Sequence, residues 1–97
     1  MRLKHQEISA IRGTVDAHFG PGSAIWLFGS ALDDHALGGD IDLYVEPTAP
    51  HAENLFLARQ ACGRELEQRL KRPVDLVVRR GSPTAFMRQA MQEGQRL

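Results

Sequence analysis

Two aspartates two residues apart, a third aspartate in an apolar segment and the pair Gly29-Ser30 are the residues of this 97-residue sequence whose types and spacing can do joint chemistry. Asp40 and Asp42 alternate with Ile41 and Leu43, so they project from one face of an extended segment, their α-carbons roughly 6–7 Å apart at ~3.3 Å per residue. Asp is depleted in strands, and two on one face need a reason. Hard carboxylate oxygens at that spacing can share a pair of Mg²⁺ ions ~3.5–4 Å apart, the arrangement that supports in-line phosphoryl transfer. A solvated acidic strand face is the plainer alternative. Asp75 stands between Val74 and Leu76, where a lone carboxylate costs several kcal/mol of desolvation unless a cation answers it. Arg72 or Arg79 would be the plain partner; beside the Asp40–Asp42 segment, Asp75 would instead bring a third carboxylate to one metal. Gly29-Ser30 follows an apolar run and opens a turn or helix. Glycine lets backbone N–H groups approach an anion, a helix N-terminus favours phosphate, and the serine hydroxyl can donate to a phosphate oxygen. Taken alone, the pair reads equally as an ordinary turn.

The elements that must position these residues follow from periodicity. Leu3, Ile8, Ile11, Val15 and Phe19 recur at helical spacing, and Gly20-Pro21-Gly22 ends the helix. Ser23 to Phe28 is a compact apolar run that suits a buried strand. Ala31 to Gly39 is long enough for a short helix and a Gly-Gly turn. From Asp40 to Glu46 the sequence alternates, with Ile41, Leu43 and Val45 on one face and Asp40, Asp42, Tyr44 and Glu46 on the other. This predicts a half-buried strand that Pro47 stops. His51 to Leu70 carries Leu55, Ala58, Cys62, Leu66 and Leu70 on one stripe and reads as the longest helix. Val74 to Val78 is a third, β-branched strand. Ser82-Pro83 suits a cap and first turn for a last helix with Phe86, Met87, Ala90 and Met91 facing inward. The order α-β-(α)-β-α-β-α predicts an α+β fold in one domain spanning 1–97: a small mixed sheet with helices mainly on one side.

Composition narrows the partners. Twelve basic residues balance twelve acidic ones, which argues against a strongly electrostatic nucleic-acid or membrane binder. No apolar run approaches the ~20 residues of a membrane span, and no signal peptide is evident. The single cysteine, Cys62, excludes an intramolecular disulfide and suits a reducing cytoplasm; on its helical stripe it reads as a small buried hydrophobe. The neutral total hides a polarity: residues 1–58 hold 3 basic and 8 acidic side chains, residues 59–97 hold 9 and 4. Arg69, Lys71, Arg72, Arg79 and Arg80 flank Asp75 as a solvated face or as a basic rim to an acidic site. Asp33, Asp34 and His35 read as surface residues, and Trp26 as core.

Order and spacing say more than each signal alone. Leu27-Phe28-Gly29-Ser30, nine intervening residues, Asp40-Ile41-Asp42-Leu43-Tyr44-Val45-Glu46, and later Pro73-Val74-Asp75-Leu76-Val77-Val78 together resemble the nucleotidyltransferase superfamily that includes DNA polymerase beta. In particular the sequence looks like the minimal nucleotidyltransferases of prokaryotes, often encoded with a HEPN-domain toxin in toxin–antitoxin pairs. The resemblance covers nearly the whole chain and implies a small polymerase beta-like fold. It implies that Gly29 and Ser30 hold the triphosphate of ATP, that Asp40 and Asp42 ligate Mg²⁺ (two ions, with Mn²⁺ able to substitute), and that Asp75 completes the metal site and helps activate the attacking hydroxyl. Members often carry basic residues where this sequence has Ala31 and Leu37, and fewer cations there weaken charge stabilisation. The implied activity is transfer of AMP to a tyrosine of a HEPN toxin, by a cytoplasmic antitoxin working in a complex. Two alternatives stand beside it: an antitoxin that acts by contact alone, and a small-molecule nucleotidyltransferase of the antibiotic-modifying kind, for which a second domain is lacking.

Overall fold

The computed structural model describes residues 3–32, 39–48 and 54–97. Helix α1 (His5–Phe19) begins where the Glu7 carboxylate reaches back to the Lys4 N–H at 2.9 Å, and it ends at Gly20, whose φ of 103° suits glycine. Strand β1 (Ala24–Phe28) follows, then a single 3₁₀ turn (Gly29–Leu32) and strand β2 (Ile41–Glu46). Helix α2 (Leu55–Leu70) leads to β3 (Val74–Val78), helix α3 (Ala85–Glu93) and a two-residue strand β4 (Gln95–Arg96). The strands lie in the order β3-β2-β1-β4. β1 runs antiparallel to β2 and β4, whereas β2 and β3 are parallel. The mixed sheet is as expected.

One face of the sheet is the core. Ile25 and Leu27 of β1, Ile41, Leu43 and Val45 of β2, and Leu76 and Val78 of β3 meet Ile11, Val15 and Phe19 of α1 and Cys62, Leu66 and Leu70 of α2. Burial pushes the Cys62 thiol up to about 12, so it serves as apolar packing. α3 packs at the far end of β1, where the Phe86 and Phe28 rings meet edge to face at 5.5 Å. Arg12 of α1 ties the last strand down by donating to the Leu97 carbonyl at 2.9 Å, while the Leu97 N–H donates to Ile25. No helix among the described residues is long and apolar enough to cross a membrane.

Five local expectations change; the first is Trp26, read as core, which is half-buried on the opposite face of the sheet against Tyr44. α2 starts at Leu55, because the Asn54 side chain accepts the Leu57 N–H and caps the helix there; His51 itself lies outside the described residues. α3 is capped by Thr84, whose hydroxyl accepts the Met87 N–H at 3.2 Å, and Ser82-Pro83 stay outside the helix. Of its expected inward residues only Ala90 is buried; Phe86 is 51% exposed. Phe86 instead meets only the Phe28 ring, and its remaining surface stays open. Tyr44, expected on the polar face, is fully buried: the Trp26 ring stacks on it at 5.5 Å and its hydroxyl donates to Glu46 at 3.0 Å. β4 has no signal in the sequence, since two polar residues carry no periodicity.

Candidate active site

The face of the sheet away from α1 and α2 divides in two. At one end Trp26 and Tyr44 stack, the Arg96 guanidinium lies 5.4 Å above the Trp26 ring, and Arg79 pairs with Glu46 at 3.5 Å. That end is closed. At the other end the register sets Phe28 opposite Asp42 across β1–β2, and Asp42 opposite Asp75 across β2–β3. In a sheet, laterally paired residues share a face with strands ~4.8 Å apart. Asp42 and Asp75 are therefore neighbours by register, and Asp40 lies one alternation earlier on the same side of the chain. Asp42 is half-buried while Asp40 and Asp75 are exposed.

Electrostatics marks the same cluster. Burial, then the negative charges of Asp75 and Asp40, hold the Asp42 carboxyl above the usual carboxylate range. Like charges brought together at the mouth of a sheet call for a counter-charge. The three carboxylates do not close round one point: among the described residues no group of three or more acidic, histidine or cysteine side chains forms a ready-made metal cage. They are instead an open, all-oxygen edge, the donor chemistry that suits a hydrated Mg²⁺ ion.

Gly29 explains itself on this geometry. Its φ is +78°, which favours glycine, and a Cβ placed there would land on the Asp42 carboxylate. The backbone of the turn thus comes hard against the acidic cluster, in a cradle that any side chain would fill. The turn is only four residues of 3₁₀ helix. The expected helix dipole behind Gly29-Ser30 is accordingly replaced by the close approach of the backbone itself. Ala31 is fully buried in the core, so no cation reaches the cluster from that position. The side chain of Ser30 and residues Asp33, Asp34, His35 and Leu37 lie outside the described residues.

The cations around Asp75 are placed otherwise than the sequence implied. Asp75 lies on the edge strand β3 and is exposed, so it escapes the desolvation penalty expected of it and needs no arginine partner. Arg72 pairs with Glu7 at 3.2 Å and Arg79 with Glu46, which joins the basic half of the sequence to the acidic half. Arg69 pairs with Glu65 at 3.1 Å. Arg59 and Arg64, together with Glu67, line the same groove between α2 and β3 as Asp75; sequence reasoning missed these two cations because they lie on the helix before it.

Arg72 also has a positioning task that no motif announces. Its Nε donates to the Gly39 carbonyl at 2.7 Å while its guanidinium holds Glu7. The start of β2, and with it Asp40, is thereby tied to α1. Burial alone would raise the Glu7 carboxyl; hydrogen bonds from the Lys4 N–H and Arg72 outweigh it and hold the group below its ordinary 4.5. A carboxyl lowered by folding stabilises the fold above its unfolded value and loses that contribution as pH falls through the folded one. We expect Glu7→Gln to cost about 1–2 kcal/mol at pH 7. The difference from wild type should shrink below pH 4.5, as urea unfolding at pH 7 and pH 3 would read.

No family model matches the chain, and no curated protein matches it. Among solved structures the chain is similar to the toxin–antitoxin MntA-HpeT, solved as a mutant with two aspartates changed to glutamate. The TM-score is 0.71 at 24% identity, over 97% of this chain and 71% of that one. The likeness shows the fold, a mixed α+β architecture shared over nearly the whole of this chain.

Proposed function

We propose that this protein is a Mg²⁺-dependent nucleotidyltransferase that acts as an antitoxin, transferring AMP from ATP to a tyrosine hydroxyl of a HEPN-domain toxin. The observation that carries the reading is the lateral pairing of Asp42 with Asp75, with Gly29 pressed against the Asp42 carboxylate. Asp40, Asp42 and Asp75 would hold the divalent ions, Mg²⁺ or Mn²⁺, which screen carboxylate from triphosphate and stabilise charge on the transferring phosphoryl group. Gly29 and Ser30 would present backbone N–H groups to the triphosphate. Asp75, exposed on the edge strand, would accept the proton as the acceptor hydroxyl attacks the α-phosphorus. A new phosphorus–oxygen ester forms, the bond to pyrophosphate breaks, and pyrophosphate leaves. An exposed carboxylate on an edge strand suits that task, because an acceptor on another protein can reach it.

The neighbouring structure is a toxin–antitoxin component, which supports a toxin as the partner. Ala31 buried in the core favours a second reading, contact-only neutralisation, by leaving one fewer place for a phosphate-binding cation. Mass spectrometry of a co-expressed HEPN toxin separates them. With wild type the toxin should gain discrete AMP increments; with Asp40→Ala/Asp42→Ala it should gain none. If the double variant still neutralises the toxin, binding alone suffices and the catalytic reading of the antitoxin fails.

A further inference from the structure

Beside the carboxylates lies a groove of about 430 Å³ running from Gly29 along α3, a size ordinary for a small-ligand site. We infer that this groove seats the base of a purine nucleotide, an assignment that rests on the triphosphate lying at Asp40, Asp42, Asp75 and Gly29. Four observations converge on it.

The first is aromatic placement. The chain has only four phenylalanines, and two of them line this groove. Phe28 and Phe86 stand at 80° to each other, which makes a right-angled corner in which a planar ring can lie flat on one wall with its edge against the other. The second is exposure. Phe86 is 51% exposed on α3, so its apolar face is not consumed by the core; covering it with a base recovers part of that hydrophobic cost. The third is continuity. Phe28 shares its sheet face with its lateral partner Asp42, and Gly29, the next residue, touches both groove and carboxylate. A ligand with a phosphate end and a flat apolar end matches that succession.

The fourth is the polar rim. Gln89 and Glu93 stand one helical turn apart on α3, the Gln89 amide donating to Glu93 at 3.2 Å, and both line the groove. An amide and a carboxylate offer acceptors to the exocyclic amine of a purine and an N–H to a ring nitrogen. The Glu93 charge also repels phosphate, which orients the uncharged end of the nucleotide to this side. Uracil has a smaller stacking face and no exocyclic amine, so it gains least.

Calorimetry in Mg²⁺ with ATP, GTP, UTP and inorganic tripolyphosphate tests the inference on wild type and Phe86→Ala. Because Phe86 is exposed, the variant should fold, and its circular dichroism should overlay that of wild type. Wild type should bind ATP and GTP more tightly than UTP or tripolyphosphate. Phe86→Ala should weaken purine nucleotides about tenfold or more, the range of base–aromatic stacking, and leave tripolyphosphate unchanged. Equal affinity of wild type for ATP and tripolyphosphate overturns the base site alone, as does an unchanged ATP affinity in Phe86→Ala or an equal loss for both ligands. Failure of wild type to bind any of the four overturns the nucleotidyltransferase reading itself, and the base site with it.

Discussion

Asp42→Asn should raise the melting temperature of the metal-free protein at neutral pH while removing its transferase activity, two changes of opposite sign from one atom. Burial, and then Asp75 and Asp40, lift the Asp42 carboxyl above its ordinary 3.8 in the folded state. A carboxyl raised by folding destabilises the fold wherever it is ionised. Its cost is absent below the unfolded value, grows as pH rises through the folded one, and stays constant above. The amide keeps the shape and discards the charge. The rise should be readable by thermal unfolding in chelator at pH 7, with wild type and variant side by side. The gain should vanish near pH 3, where aspartate is neutral in both states. Millimolar Mg²⁺ should raise the melting temperature of wild type, since an ion bound only by the folded chain stabilises it by mass action, and should leave Asp42→Asn unmoved. Transfer to a co-expressed toxin should fall by at least about a hundredfold, the scale on which a transition-state charge partner is felt. A variant less stable than wild type in chelator at pH 7 would sink the account of Asp42 as a strained charge.

Gly29→Ala should be the most damaging single-atom addition to the site. The residue holds φ at +78° and a Cβ there meets the Asp42 carboxylate. The left-handed backbone alone costs about 1–2 kcal/mol for a residue with a side chain. The overlap forces Asp42 out of its place on β2, so Mg²⁺-dependent nucleotide binding should be lost even where the domain stays folded. A double-mutant cycle divides the two contributions. In the Asp42→Ala background the clash is gone, because a Cβ at Gly29 lies 3.4 Å from that of Asp42, an ordinary contact. Gly29→Ala should therefore cost less there than in wild type. Additive costs measured by denaturant unfolding would show that the glycine answers to backbone conformation alone.

The sequence by itself determined the order of the elements up to α3, the two core-facing periodicities and the acidic edge. Ile41, Leu43 and Val45 can reach a core only if Asp40 and Asp42 point away from it, because the side-chain period of a strand is two. Asp75 is fixed by the same rule once Leu76 and Val78 are buried. Even the Gly29-Ser30 turn was legible, as glycine after an apolar run. What the tertiary structure alone decided is which residues become neighbours. Parallel pairing of β2 with β3 puts Asp42 beside Asp75 rather than one residue off, and nothing local sets that register. It made Asp75 an edge residue, so the burial that its apolar neighbours suggested did not follow. Pairing across the sheet covered Tyr44 with Trp26, although alternation had placed the tyrosine on a polar face. The arginines of the second half found Glu7 and Glu46 of the first, contacts that charge counting along the chain cannot see. The last helix left Phe86 standing beside Gly29, because it buries only Ala90 and meets β1 through Phe86 only at the Phe28 ring, and the groove that results belongs to no segment of the sequence.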